Sequence, residues 1–209
     1  MTAMAAYEAG LLGRAPCWVH PRSGPPRLLP LQRWTAAAGP QDEALLDAAA
    51  RPGHRTLDVG CGPGRITAAL GDRGALASGI DVSRVAVALT RRRGVPAVRA
   101  DVFDPLPGGW DAVVLADGNI GIGADPLALL RRIRDLLRVG GLLVADVQGG
   151  GGVRRSRNWL CAHHRTGGPL VWATVGQDAI EALGRAAGLA PGRSVPIQGG
   201  AVATWRREW

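Results

Sequence analysis

From residue 41 onward the apolar positions fall into short solid runs separated by helical spacings. Gln41 to Ala50 has helical spacing with acids in its first turn, which suits the helix dipole, and Pro52-Gly53 ends it. A run at Leu57–Val59 follows, then a helix-like stretch from Arg65 to Leu70 and a second run closing at Ser78-Gly-Ile-Asp81. Pro96–Arg99 and Trp110–Ala116 read as the third and fourth strands. A helix from Pro126 to Leu137 leads to a fifth strand at Gly140–Asp146. Beyond it, Gln177 to Ala187 is helical and ends at Gly188, as a C-cap would. Pro196-Ile197 and Ala201–Trp205 are the last two strands, a hairpin joined at Gly199-Gly200. Strands alternating with helices over short loops predict an α/β fold. The expected architecture is doubly wound and three-layered, with a mostly parallel seven-stranded sheet and an antiparallel last strand.

Two regions lack this order. Residues 1–40 are rich in proline and read as an N-terminal extension with one short helix, Ala3 to Leu12. It either folds over the mouth of the site or forms a loosely packed tail. Residues 148–175 read as a long irregular stretch, and loops of that length inside a domain are usually functional or disordered. Residues 41–209 are expected to form one domain, with a ligand-binding half at 57–146 and an acceptor-side half at 147–209.

The chemistry concentrates in Asp58-Val-Gly-Cys-Gly-Pro-Gly64 and in Asp81. Glycines at 60, 62 and 64 between a strand and a helix let a backbone approach a nucleotide. In a dinucleotide fingerprint that approach serves a pyrophosphate at a helix N-terminus. Here Asp58 would repel it. A carboxylate at that place suits a ligand carrying an ammonium and a sulfonium, which selects S-adenosylmethionine over NAD. Asp81 ends the second strand about 20 residues later, where an acid accepts from both ribose hydroxyls. A ligand-free βα turn would account for the glycines but poorly for Asp58, because a buried carboxylate is costly unless paired. Alone, Asp81 also suits a helix N-cap, and Asp101 and Asp104 suit a turn before Pro105.

In this order and spacing the chain resembles the class I S-adenosylmethionine-dependent methyltransferases over roughly Asp42 to Asp146, including Leu136-Leu-Arg-Val-Gly-Gly-Leu-Leu-Val144. The resemblance implies a Rossmann-like methyltransferase fold, S-adenosylmethionine as cofactor and S-adenosylhomocysteine as product. It implies a cofactor site of Asp58, Gly60, Cys61, Gly62, Gly64, Asp81, Val82, Asp101, Val102 and Asp117. Asp101 would accept from the adenine amino group, with Val102 and Phe103 as apolar walls, and Cys61 would be a small filler beside the cofactor. Asp117, His163 or His164 is the candidate base, and Trp159 and Trp172 share the acceptor-side segment. The Asp117-Gly-Asn-Ile120 sequence departs from the motif for methylating nucleic-acid bases. Asp117, Asn119 and Asp146 fall short of the acidic cluster of metal-assisted catechol transfer, so no metal is expected.

Composition adjusts this reading only in part. The net charge of +8 comes from arginine alone, and lysine is absent. Together with abundant alanine, glycine and proline, this looks like the codon usage of a GC-rich bacterial genome. The arginines of 91–93 and 131–134 fall on predicted helices, as solvated faces. Those of 154–157 lie near the acceptor and keep a nucleic-acid partner open. Three scattered cysteines make neither a disulfide framework nor a zinc pair. With no apolar run of about 20 residues and no secretory leader, a cytoplasmic protein without a membrane partner is expected. The expected function is methyl transfer to a small molecule, such as a secondary metabolite. An RNA or DNA methyltransferase and a catalytically silent nucleotide-binding module are the alternatives. Oligomeric state is left open.

Overall fold

The computed structural model describes residues 1–208 and contains two sheets, one of four strands and one of seven. The first thirty-five residues supply α1 (Ala3–Leu11), β1 (Trp18–Pro21), β2 (Arg27–Leu28) and α2 (Leu31–Thr35). A single 3-10 turn, Pro40–Asp42, enters α3 (Glu43–Ala49). Then β3 (Arg55–Val59), α4 (Arg65–Asp72), β4 (Leu76–Asp81), α5 (Arg84–Arg92) and β5 (Ala97–Arg99) form one half of the larger sheet. The other half is β6 (Trp110–Leu115), α6 (Pro126–Leu136), β7 (Leu137–Gln148), α7 (Gln177–Ala186), β10 (Ala190–Ile197) and β11 (Gly200–Arg206). Between β7 and α7 lie β8 (Val153–Ala162) and β9 (Arg165–Val175).

The large sheet has the order β10-β11-β7-β6-β3-β4-β5. The pairs β3–β4, β3–β6, β4–β5 and β6–β7 are parallel, whereas β11 runs antiparallel to both β7 and β10. This is the expected doubly wound sheet. Chain order reverses between β3 and β6, and at such a switch point ligands bind beyond the carboxyl ends of the strands. One face buries Leu129, Leu130 and Ile133 of α6 and Ile180 of α7 against Leu57, Val113 and Leu143. The other packs Leu45 and Leu46 of α3 and Ile66 and Leu70 of α4 against Val114 and Val144. Local rules set the helix starts: Ser83 Oγ caps α5 by accepting from Ala86 N (3.1 Å). Asp125 caps α6 through Ala128 N (3.1 Å), with Pro126 in the first turn.

The segment 148–175 is not irregular. It forms the β8–β9 hairpin, which joins β1 and β2 in an antiparallel sheet of order β2-β1-β8-β9. Helix α1 seals one end, with Ala6 and Leu11 packed among Val19, Leu160 and Ala162. The alternation that marks a half-buried strand exists in β8, where Asn158, Leu160 and Ala162 are buried and their neighbours are not. Arg154, Arg155 and Arg157 obscure it upstream, and Gly167-Gly168-Pro169 breaks the pattern in β9.

Candidate active site

A cleft of about 700 Å³ lies between the carboxyl ends of β3, β4 and β6 and the inner face of the smaller sheet. Its floor begins at the loop after β3. Gly60, Gly62 and Gly64 all have left-handed backbones, with φ of 72°, 55° and 83°. A side chain at Gly60 would meet Asn119 Nδ2 at 2.7 Å, and one at Gly62 would stand 3.4 Å from the Tyr7 hydroxyl. The loop is therefore a glycine cradle for steric as well as conformational reasons. Asn119 holds it from the other side, donating through Nδ2 to the Val59 and Gly60 carbonyls (both 2.9 Å).

Asp81 stands opposite this loop. Its oxygens accept from Gly62 N (3.0 Å) and Ser83 N (2.8 Å), and Ser83 Oγ donates to Glu8 Oε1 of α1 (2.9 Å). Burial raises the Asp81 carboxyl above its ordinary range, and the two backbone donors oppose that rise. Asp58 is buried under the loop and accepts from Thr67 Oγ1 (2.7 Å). Burial raises its pKa to about 7, and the negative charge of Asp117 adds to the rise. Cys61 does not face the cleft. Its thiol lies against Gly79 and 3.6 Å from Thr90 Oγ1, and burial pushes its pKa far up.

At the far end Val82, Ala100, Asp101, Val102 and Ile122 line one wall. Asp101 Oδ1 accepts from Phe103 N (3.0 Å), so it is a turn residue and a cleft residue at once. Phe103 is exposed and rests against Gly123 rather than lining the cleft. Asp117 lines the cleft with φ of 53°. One oxygen accepts from Arg33 Nη1 (2.9 Å), and the other is ion-paired with Arg65. Both arginines also bind Asp42, closing an alternating square of charge behind Asp117. Arg65 and Asp42 are buried in it. The Arg65 bond holds the Asp42 carboxyl below its ordinary range despite burial. The oxygens of Asp146 accept from the backbone N–H groups of Asp117 and Gly118 (both 2.7 Å), and burial raises its pKa to about 6. Beyond the square, toward β7 and the β10–β11 turn, is a second hollow of about 620 Å³.

His163 and His164 are not in the cleft. They form the exposed turn of the β8–β9 hairpin, with φ of 50° and 57°, at the end remote from β6. Two consecutive left-handed residues match the twist of a tight hairpin, so the pair has a conformational role. Trp172 faces inward and donates from Nε1 to the Gly118 carbonyl (3.3 Å), while Trp159 pairs with His20 on the opposite face of the sheet. Sequence reasoning missed Tyr7, Trp34 and Asn158. Tyr7 and Trp34 meet edge to face (6.4 Å between centroids) over the glycine loop. They come from helices far upstream of it, and nothing in their spacing links them to Gly62.

A family model described as "Methyltransferase domain" matches residues 57–145. The ubiquinone biosynthesis O-methyltransferase of Xanthomonas campestris is 35% identical over 170 residues, covering 72% of this chain and 64% of that protein. A ribosomal RNA small subunit methyltransferase C from Chromohalobacter salexigens is 47% identical over 68 residues, 30% of this chain and 20% of that protein. The chain thus spans less than two thirds of the length of these curated relatives. A crystal structure of a SAM-dependent methyltransferase from Bacteroides fragilis, in complex with S-adenosyl-L-homocysteine, superposes with a TM-score of 0.82 at 19% identity. It covers 99% of this chain and 94% of that one.

Proposed function

We propose that this chain, which belongs to the class I S-adenosylmethionine-dependent methyltransferases, transfers a methyl group from S-adenosylmethionine to a small-molecule acceptor. The bound cofactor supplies an electrophilic methyl group on a sulfonium, open to in-line displacement. The protein's part is then to bind, align and exclude water. The glycine cradle fits such a group, because three left-handed glycines leave space that side chains at Gly60 and Gly62 would fill. The donor set fits as well. Asp58 offers a buried carboxylate to an ammonium, and Asp81 retains lone pairs for the ribose hydroxyls beside its two backbone donors. Asp101 and the Val102 N–H would take the adenine edge, with Val82 and Val102 on its faces. Asp117 would shape the methionine end. Both of its oxygens are engaged by guanidinium groups and neither is left free to face an acceptor, so it is not assigned as the base. Residues 1–40 and 147–175 would form the acceptor's walls.

The observation that carries the small-molecule reading is the roof. The smaller sheet lies over the cleft and lines it with Val19, Leu160, Leu170 and Trp172, so the cleft's lining is mostly apolar and Arg27 is its one basic side chain, where a nucleic-acid backbone would call for several. Methyl-labelled S-adenosylmethionine offered in parallel to a small-molecule extract and to total RNA tests it. Label in the extract is expected. Label confined to RNA, or to neither, would overturn the acceptor assignment.

A further inference from the structure

We infer that the acceptor is an organic acid that arrives already ionised and that its oxygen anion is the nucleophile. The inference rests on the methyl-transfer reading above. Its ground is the make-up of the cleft wall, whose titratable groups are Tyr7, Arg27, Asp81, Asp101 and Asp117. Among the described residues the lining holds no His, Lys, Cys or Glu. None of the five groups is placed to remove a proton from an acceptor. Asp117 is held on both oxygens by guanidinium groups. Asp81 accepts two backbone N–H bonds beside the glycine loop, and Asp101 accepts one at the opposite end of the cleft. Tyr7 keeps its proton, since burial raises its phenol well above the ordinary range. Alcohols, protonated amines and ordinary phenols must lose a proton before they attack. A carboxylate, at about 4, or a comparably acidic enol or phenol is already an anion at neutral pH.

The roof brings one matching charge to the cleft. Residues 18–28 and 153–175, which contain β1, β2, β8 and β9, hold six arginines and no Asp or Glu, and of the six Arg27 lines the cleft. Arg27 is exposed where β2 lines the cleft, so its guanidinium can meet an anion at the mouth. Deeper in, Asn158 is 4% exposed and donates from Nδ2 to Ser156 Oγ (2.9 Å). The other pole of this carboxamide has no protein partner among the described residues. It is a buried polar group among Val19, Leu160, Leu170 and Trp172, suited to orienting one polar substituent of the acceptor. In the transfer an oxygen lone pair forms the O–C bond as the C–S bond breaks. The electron pair of that bond stays on sulfur. The charges on oxygen and sulfur cancel and no proton moves, a change that a dry cleft favours.

The experiment is label transfer from methyl-labelled S-adenosylmethionine to a small-molecule extract that has first been split into anionic, neutral and cationic fractions on ion exchangers. Label is expected in products made from the anionic fraction. With that fraction, Arg27→Glu and Asn158→Leu should each lower the rate about tenfold or more while leaving S-adenosylhomocysteine affinity unchanged. The rate at saturating cofactor and acceptor should stay flat between pH 7 and 9. Label from the cationic or neutral fraction alone, or a rate that climbs tenfold per pH unit, would overturn the organic-acid inference and leave methyl transfer standing. No label from any fraction, with S-adenosylhomocysteine still bound, would overturn the methyl-transfer reading itself.

Discussion

Asp58 carries the clearest pH signature at the scale of single residues. Its pKa of about 7 means that the folded, cofactor-free protein holds a proton there which the unfolded chain gives up near 4. Stability from this group is therefore greatest below about pH 4 and declines as pH rises to about 7. Cofactor binding should run the other way, because a ligand ammonium prefers the ionised carboxylate. S-adenosylhomocysteine affinity, followed by calorimetry, is expected to rise several-fold from pH 6 to 8 and to lose that slope in Asp58→Asn. A wild-type affinity flat across this range would remove Asp58 from the ammonium site. Gly60→Ala makes a second residue-scale prediction. The new methyl would sit 2.7 Å from Asn119 Nδ2 on a backbone with φ of 72°. A stability loss of about 1–3 kcal/mol is expected from the strained backbone, with loosened cofactor binding. Both positions were legible in the sequence, since the Asp-x-Gly-x-Gly-x-Gly spacing is local. Tyr7 and Asn158 were not, because only the folding of distant segments brings them to the cleft.

Among the elements, α2, the turn that enters α3, α4 and the loop after β6 are tied together by the Arg33–Asp42–Arg65–Asp117 square. Arg65 is the buried cation, at 3% exposure, so Arg65→Met leaves Asp42 and Asp117 with only the partly exposed Arg33 as counter-charge. Urea unfolding should show a loss of about 3–5 kcal/mol. Asp42→Asn in the same chain should restore part of it, since the two changes share one interaction. Arg33 is 41% exposed, and Arg33→Ala is expected to cost no more than about 1 kcal/mol. The β8–β9 turn offers the opposite case. His163→Asn with His164→Gly supplies residues that favour left-handed backbone, and is expected to keep methyl transfer intact and stability equal or higher. A loss of transfer with the fold retained would return the histidines to the site. The βαβ elements around β3, β4 and β6 were legible because buried strands and amphipathic helices write their periods into consecutive residues. The smaller sheet was not. Its strands come from two distant segments, residues 18–28 and 153–175, and Gly167-Gly168-Pro169 and the arginines of β8 hide their alternation.

The whole molecule is a doubly wound sheet with an added roof. The sheet brings Asp81 and Asp101 to one edge, with Asp58 buried under the glycine loop beside them, and the roof closes a mostly apolar layer over the cleft. The net charge of +8 is unevenly placed, because the roof segments contribute arginine without any acid. Among the described residues no helix is long and apolar enough to cross a membrane. If this edge is an S-adenosylmethionine site, Asp81 holds the ribose. Calorimetric titration of S-adenosylhomocysteine into the wild type and Asp81→Ala, with thermal melts confirming that both are folded, tests this. Losing a charge-assisted bond to the ribose is expected to weaken binding by about 1–3 kcal/mol, roughly 5- to 150-fold. Equal affinity in the two proteins, or no binding to the folded wild type, would contradict the account.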